Sequence, residues 1–279
     1  MTQLTVPRMH GLGNSVLLVD RSALADAEPG AVARRWCGRA EADAMLLHAL
    51  DAAGECHVDI RNADGSSAEL CGNGLRCLIR LGVDEGWWSG GIRMRTPAGR
   101  HEGSIDSGQV RVSMPAPAFG PDAVGARTDH LPGESTGEGA CIVMELDGIG
   151  LDLHLVSTGN PHVVIPCRDA EALDAVEAIG PVLERHPAFP DGINVHLVQP
   201  VAVDRMLLRS WERGAGPTQA CASGATAAVA ALARAGLAGH DAAVEMPGGV
   251  LHVAWDPETE EMWNRGPADY LDPVVFDLD

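Results

Sequence analysis

Apolar and polar residues alternate in many short runs along this chain, which predicts β-strands, but the residues after Cys71 are spaced differently. Leu75, Leu78 and Ile79 recur at the interval of one helix face, and Gly82 follows as a candidate stop. The pattern therefore predicts a strand, a glycine-rich turn and then a helix whose first turn lies at Cys71.

The same arrangement returns in the second half of the chain. A strand-like run from Met206 to Trp211 leads to Cys221, and an alanine-rich helix is predicted from Ala225 to Ala235. Because this helix has almost no polar face, it should be enclosed by sheet.

Landmarks around the two cysteines repeat in register. Asn62 precedes Cys71 by the same number of residues as Glu212 precedes Cys221. A turn of proline and glycine follows each cysteine at a second common interval, and a Gly-Asn pair stands upstream of both. We infer two similar halves, each of which presents one thiol at the start of a helix.

The repeated order of elements predicts an α/β fold with two pseudo-symmetric lobes. Each lobe would be a mixed, mainly antiparallel sheet wrapped around its central helix, since the apolar helix face has to be buried. A stretch rich in Pro, Gly and Asp at residues 116–139 marks the boundary between the halves. We expect an N-terminal lobe at 1–118 and a C-terminal lobe at 119–265. The tail, 266–279, would return to the first lobe and add a strand at Val274–Phe276.

Composition narrows the classes of function. The formal net charge of −19 argues against nucleic acid and anionic membrane surfaces, which bind proteins mainly through cations. No run is long enough to span a membrane, and the N-terminus lacks the pattern of a signal peptide, so the cytoplasm is the expected location. The chain contains no lysine. This excludes a pyridoxal phosphate Schiff base and a phosphate-binding P-loop, which both need one.

The seven cysteines include no C-x-x-C pair, which argues against a disulfide framework or a structural zinc site. Cys71 and Cys221 differ from the others by their position. A helix N-terminus presents unpaired N–H groups and the positive end of the helix dipole, and both favour a thiolate. The remaining cysteines are expected to be buried, unreactive thiols: Cys37, Cys56, Cys77, Cys141 and Cys167.

Two thiols delivered by similar halves suit the inversion of a carbon that carries a hydrogen. One group removes the proton from one face, the other returns a proton to the opposite face, and a thiol and a thiolate can exchange these roles. The N–H groups of the helix starts can also bind a substrate carboxylate, which gathers charge in the transition state. We therefore expect the two sulfurs to face each other across one cleft.

These residues resemble the diaminopimelate epimerase family, cofactor-independent enzymes that interconvert LL- and meso-diaminopimelate in lysine and peptidoglycan biosynthesis. The resemblance runs almost from end to end and rests on several motifs together. They are MHGLGN at 9–14, NADGS at 62–66, CGNG at 71–74, RC at 76–77, GNPH at 159–162, Asn194, ERGAG at 212–216, AC at 220–221 and PGG at 247–249.

The resemblance implies the two-lobed fold, with the active site between the halves, and an acid–base pair formed by Cys71 and Cys221 without metal or coenzyme. The reacting amino acid end would be held by Gly72, Asn73, Ala222 and Ser223. The distal end would be bound by Asn14, Asn62, Asn160, Asn194, Glu212 and Arg213, with His162 as a supporting residue. For a zwitterionic distal end, Arg213 can pair with the carboxylate and Glu212 with the ammonium.

Other interpretations of the same residues remain open at this stage. The asparagines are common turn formers, and Glu212 with Arg213 would also serve as a structural ion pair. Departures from the family pattern reshape the edge of the site, at Ser15, Ala44, Pro217 and Ala222. The alternatives are a two-cysteine racemase of another amino acid, such as histidine or a secondary-metabolite precursor, and a non-catalytic amino acid binding protein. An exposed Trp87-Trp88 pair would indicate a homodimer.

Overall fold

The computed structural model describes residues 3–88, 91–131, 141–146 and 148–277. Residues 132–139 of the predicted boundary stretch lie outside the described residues. Within the described ranges, no helix is both long enough and apolar enough to cross a membrane.

Contacts between Cα atoms divide the chain into two compact units. The first contains Met1–Ser113 and Arg265–Asp279, and the second contains Met114–Asn264. The lobes proposed from the sequence, with a boundary at 118, stay a prediction.

The described residues are mainly β, with a few helices. The α-helices are α1 (Pro29–Ala40), α2 (Gly72–Asp84), α3 (Val176–Glu184) and α4 (Ala222–Arg234). The strands are β1 (Gln3–Gly11), β2 (Asn14–Asp20), β3 (Ala44–Leu50), β4 (Glu55–Asn62), β5 (Ser67–Ala68), β6 (Ile92–Thr96), β7 (Gly99–Asp106), β8 (Gln109–Met114), β9 (Ala118–Phe119), β10 (Cys141–Leu146), β11 (Ile149–Ser157), β12 (Pro161–Pro166), β13 (Asn194–Ala202), β14 (Arg205–Glu212), β15 (Gly216–Thr218), β16 (Asp241–Met246), β17 (Gly249–Trp255), β18 (Met262–Gly266) and β19 (Asp269–Asp277).

The first unit is built on a mixed, mainly antiparallel sheet. β1 is antiparallel to both β19 and β2, and β3 is antiparallel to β4. Two pairs are parallel, β2 with β3 and β4 with β6, and a helix connects the strands of each pair, α1 in the first and α2 in the second. A parallel pair needs such a crossover because its strands run in the same direction.

The second unit has the same connectivity. β11 is antiparallel to β10 and β12, and β13 is antiparallel to β14. The parallel pairs are β12 with β13 and β14 with β16, connected by α3 and α4 respectively. The repeat in the sequence thus corresponds to a repeated chain path, with α2 and α4 in equivalent positions.

The two central helices are enclosed by the sheet of their own unit. α2 packs against β1, β2 and β7, and α4 packs against β11, β12, β13, β16 and β17. Every residue of α4 from Ala222 to Leu232 is buried, as its lack of a polar face predicts.

Helix α2 runs past Gly82, the stop predicted from the sequence, and ends at Asp84. Gly82 is a packing position, because a Cβ there would lie 2.3 Å from the ring of Trp88 and 2.5 Å from that of Trp87. The left-handed residue that ends the helix is Gly86, with a φ of 72°.

A second layer covers the opposite face of the first sheet. Trp36 of α1 stacks on Phe276 of β19, with ring centroids 4.3 Å apart and an interplanar angle of 10°. The C-terminal strand therefore closes the core beneath α1 as well as extending the sheet beside β1.

Candidate active site

Cys71 occupies the N-cap of α2. Its backbone is extended, with φ −138° and ψ 91°, and its Sγ accepts a hydrogen bond from the N–H of Gly74 at 3.3 Å. The Oδ1 atom of Asn14 lies 3.9 Å from the same sulfur. The sulfur therefore replaces the oxygen of an ordinary capping residue, where an N–H donor and the helix dipole favour negative charge.

A buried cation lies one helical turn beyond this cysteine. The side chain of Arg76 has no solvent exposure, and it donates to Asn73 Oδ1 at 2.7 Å and to the carbonyl of Pro267 at 3.3 Å. Burial lowers the pKa of Arg76 to about 10, against the opposing effect of the sulfurs of Cys77 and Cys71. The guanidinium thus keeps its charge at neutral pH and favours an anion on the neighbouring sulfur of Cys71.

Replacement of Arg76 by glutamine should slow the alkylation of Cys71 by iodoacetamide about tenfold at neutral pH, because the thiolate loses a buried cation. Mass spectrometry of the modified peptide measures the rate, and circular dichroism checks that the variant is folded. Arg80→Gln is the matched control, since Arg80 lies on the same helix but is partly exposed and pairs with Asp84 at 2.7 Å. Equal rates in the two variants would contradict a charge effect of Arg76.

Cys221 occupies the N-cap of α4 in the same way. Its φ and ψ are −111° and 106°, Gly224 N–H donates to its Sγ at 3.3 Å, and Ser223 Oγ lies 3.5 Å from the sulfur. Burial raises the pKa of Cys221 well above its ordinary value, and the Glu212 carboxylate adds to this rise, while Ser223 and Gly224 oppose it. Cys221 is therefore a neutral thiol in this state, able to donate a proton.

The two cysteines share their backbone geometry but differ in charge environment. Cys71 is close to the cation of Arg76, whereas Cys221 is close to the anion of Glu212. A nearby cation favours the thiolate form of Cys71, which can act as a base. A nearby anion favours the thiol form of Cys221, which can act as an acid.

Asn14 is the first residue of β2, and Asn160 immediately precedes the equivalent strand β12, so each lies directly after a tight turn. Both turns need a glycine, since Gly13 and Gly159 have φ values of 85° and 97°. The structure brings Asn14 to Cys71, and it brings Asn160 to Ser223, whose Oγ accepts from Asn160 Nδ2 at 3.3 Å.

The other two asparagines predicted to bind the distal end of the substrate also form hydrogen bonds within the protein. Asn62, at the end of β4, donates to Ser66 Oγ at 3.0 Å. Asn194, at the start of β13, donates to the carbonyl of Pro161 at 2.8 Å and accepts from the N–H of Arg213 at 3.0 Å. Asn194 thus braces two loops of the second unit.

Glu212 is the last residue of β14 and Arg213 follows it, and the two side chains hydrogen bond to different residues. Glu212 Oε1 accepts a hydrogen bond from Thr218 Oγ1 at 2.5 Å, and Arg213 Nη1 donates to the carbonyl of Asp191 at 3.1 Å. Both side chains are half-buried at the end of this strand.

The first helical turns contain the other predicted ligands. Gly72 and Asn73 in α2, and Ala222 and Ser223 in α4, are all buried. Ala222 begins a regular helix, and its carbonyl accepts from Thr226 Oγ1 at 2.7 Å.

His162 belongs to a buried polar cluster that the sequence analysis did not anticipate. His162 Nδ1 lies 2.9 Å from His196 Nε2, and His196 Nδ1 lies 2.9 Å from Ser210 Oγ. His196 follows Asn194 by two residues, so the two side chains lie on the same face of the strand. This spacing is the one feature of the sequence that points to His196. The motif at residues 76–77 likewise does not predict the burial of Arg76.

The buried histidines predict a loss of stability in acid. Burial lowers the pKa of His196 from 6.5 to about 3, and that of His162 well below 6.5, so both rings stay neutral in the folded protein in mild acid. The unfolded chain takes up protons below about pH 6.5, so the stabilisation is complete above that pH and is lost as the pH falls towards the folded-state value. Between about pH 7.5 and about pH 5, His196 alone should lower the free energy of unfolding by about 2 kcal/mol.

Urea denaturation at the two pH values tests this prediction. His196→Gln should narrow the difference in unfolding free energy by about 2 kcal/mol relative to the original chain. His252→Gln, at an exposed position, should leave the difference unchanged. An unchanged difference in His196→Gln would refute the assignment of a neutral buried ring.

The chain matches known proteins along nearly its whole length. A family model described as diaminopimelate epimerase matches residues 7–119 and 154–271. The diaminopimelate epimerase of Pseudomonas syringae pv. syringae is 35% identical over 274 residues, covering 95% of this chain and 96% of that protein. The diaminopimelate epimerase of Cupriavidus taiwanensis is 37% identical over 286 residues, covering 99% of this chain and 98% of that protein.

Solved structures show the same fold at much lower sequence identity. A phenazine biosynthesis protein of the PhzF family from Bacillus anthracis has a TM-score of 0.71 at 16% identity, covering 99% of this chain and all of that chain (100%). A hydroxyproline epimerase from Agrobacterium vitis has a TM-score of 0.69 at 14% identity, covering 100% of this chain and 92% of that chain. The predicted fold class is confirmed by these neighbours.

Proposed function

The chain belongs to the diaminopimelate epimerase family, and from this premise we propose that it epimerises LL-2,6-diaminopimelate to the meso isomer with Cys71 and Cys221 as its two bases. The observation that supports this role most directly is the N-cap position of both sulfurs, combined with the opposite charges beside them. The substrate is a small amino acid, in agreement with the names of the relatives.

The proposed reaction removes one proton from the α-carbon of the substrate and returns one proton to it. The Cys71 thiolate removes the α-hydrogen of the LL isomer and becomes a thiol. The electron pair left on the α-carbon delocalises into the substrate carboxylate, where helix N–H groups stabilise it. The Cys221 thiol then protonates the carbon from the opposite face and becomes a thiolate, and the reverse reaction uses the same groups in exchanged roles.

The backbone of the first helical turns is proposed to hold the reacting end of the substrate, at Gly72, Asn73, Ala222 and Ser223. The distal amino acid end would lie with Asn14, Asn62, Asn160, Asn194, Glu212 and Arg213. In this arrangement Arg213 pairs with the distal carboxylate and Glu212 with the distal ammonium. His162, buried behind Asn160, supports the pocket without contacting the substrate.

Incubation in D₂O with LL-diaminopimelate and a panel of L-amino acids tests the proposal. We expect deuterium at one α-carbon of diaminopimelate, together with formation of the meso isomer. Exchange into histidine or another amino acid instead would favour a different racemase. Absence of exchange into every compound, with ligand binding retained in Cys71→Ser and Cys221→Ser, would favour an amino acid binding protein.

A cytoplasmic location, a homodimer and the absence of nucleic acid binding stay predictions from the sequence. Trp87 and Trp88, the proposed dimer contact, are both half-buried, and Trp87 packs against His48 with ring centroids 4.6 Å apart.

A further inference from the structure

A continuous hydrogen-bonded path leads from the Cys221 sulfur into the core of the second unit. Its links are Cys221 to Ser223 at 3.5 Å, Ser223 to Asn160 at 3.3 Å, Asn160 to His162 at 2.8 Å, His162 to His196 at 2.9 Å and His196 to Ser210 at 2.9 Å. We propose that this path, called the relay below, has one fixed direction, and that His196 is a positioning residue that sets it. The catalytic part of the inference rests on the proposed function of Cys221.

The orientation of the Asn160 amide shows the direction of the first links. Its Nδ2 donates to Ser223 Oγ, so its Oδ1 faces His162 and accepts from His162 Nε2–H. Both histidine rings have no solvent exposure, and a charge is costly there, so each ring carries a single N–H.

The direction of the deeper links follows from these two facts. A neutral His162 with its proton on Nε2 has an unprotonated Nδ1, which can only accept, and the donor facing it is His196 Nε2–H. His196 Nδ1 is then also an acceptor, and it receives the hydroxyl proton of Ser210. Each link in the relay therefore has one donor and one acceptor.

The relay ends on the catalytic sulfur. Because Ser223 Oγ accepts from Asn160, its own hydroxyl proton is available to Cys221 Sγ. When Cys221 gives its proton to the substrate, the resulting thiolate receives hydrogen bonds from the Ser223 hydroxyl and from Gly224 N–H. These donors counteract the carboxylate of Glu212, which would otherwise disfavour the anion.

His196 is suited to this role by its packing. A Cβ on Gly224 of α4 would lie 2.2 Å from His196 Cε1, so the ring is seated directly against the first turn of the catalytic helix. The ring is held by two hydrogen bonds, to Ser210 and His162, and cannot turn over without losing both.

Two substitutions of His196 distinguish the effect of its Nε2–H donor from the effect of the rest of the ring. His196→Gln keeps an N–H at the position of Nε2, and His196→Leu removes both ring nitrogens. His101→Leu is the matched control, because His101 is also buried (1% exposed) and is hydrogen bonded at both nitrogens, to Thr96 at 3.0 Å and to Ser113 at 2.9 Å, in the first unit.

The first measurement is independent of any substrate. Nuclear magnetic resonance of protein labelled with ¹⁵N-histidine should show His162 as the Nε2–H tautomer in the original chain, in His196→Gln and in His101→Leu. His196→Leu should give a mixture of tautomers, because without the His196 donor the Asn160 amide and the His162 ring can reverse their hydrogen bond together. An Nδ1–H tautomer of His162 in the original chain, or an unchanged tautomer in His196→Leu, would overturn the relay.

The second measurement is the epimerisation of diaminopimelate. His196→Leu should lower kcat about tenfold to a hundredfold with little change in KM, as for other positioning partners behind a reactive group, while His196→Gln and His101→Leu stay within about threefold. An unchanged kcat in His196→Leu would overturn the catalytic role. If the original chain fails to turn over diaminopimelate but shows the expected tautomers, the proposed function fails and the relay is supported.

Discussion

Serine in place of either Cys71 or Cys221 is expected to lower kcat for the epimerisation of diaminopimelate at least about a thousandfold, within the range that general acid–base catalysis contributes. A hydroxyl is a far weaker acid than a thiol, so the serine alkoxide needed on one side of the carbon is scarcely formed at neutral pH. Conversion of LL- to meso-diaminopimelate, followed with α-deuterium incorporation, measures the loss.

Cys167→Ser is the control for the loss of a thiol elsewhere. Cys167 is half-buried, its Sγ donates to the carbonyl of Ile165 at 3.7 Å, and burial raises its pKa to about 11, so it is an unreactive thiol. Its replacement should change kcat less than about twofold, the effect of an ordinary substitution away from the site. If Cys71→Ser or Cys221→Ser kept an activity close to that of Cys167→Ser, the two-thiol mechanism would have to be abandoned.

Gly224→Ala should reduce the free energy of unfolding by about 3 kcal/mol, the upper part of the usual range for overpacking. The added Cβ would lie 2.2 Å, 2.6 Å and 2.7 Å from three ring atoms of His196, and two hydrogen bonds hold this ring in place. Because the ring cannot rotate away cheaply, the start of α4 has to move.

Gly74→Ala is the matched substitution in the first unit, since Gly74 and Gly224 are each the third residue after their cysteine. Its Cβ would lie 2.8 Å from the two terminal methyl groups of Leu46, which can rotate. The gain in helix propensity of about 1 kcal/mol offsets much of this strain. Urea denaturation should therefore show a clearly smaller loss of unfolding free energy for Gly74→Ala than for Gly224→Ala. Equal losses would contradict the claim that hydrogen bonds hold the His196 ring in place.

Local interactions explain why part of the site was predictable. A cap, a glycine-rich turn and an apolar stripe are all encoded within about four residues of the helix start, so the helices at Cys71 and Cys221 follow from periodicity alone. The left-handed turns before Asn14 and Asn160 are similarly local, because their glycines must adopt positive φ.

The charges beside the two sulfurs were not predictable in this way. Burial of Arg76 depends on β19 arriving from the far end of the chain, where the carbonyl of Pro267 accepts from its guanidinium. The position of Glu212 relative to Cys221 depends on how β14 and β15 turn before α4. Neither the desolvation nor the sign of the nearby charge can be read from residue spacing.

The amino-acid sequence by itself determined the repeat, the two capping cysteines, the central helices and the family, because each depends on residues close together in the chain or on motifs. Only the tertiary structure decided the partners of the buried polar groups. His162 and His196 meet because β12 and β13 pair in parallel, with His162 opposite Asn194, and Asn160 reaches Ser223 across the start of α4. Hydrogen bonds between distant residues depend on strand register and packing, which no local pattern specifies.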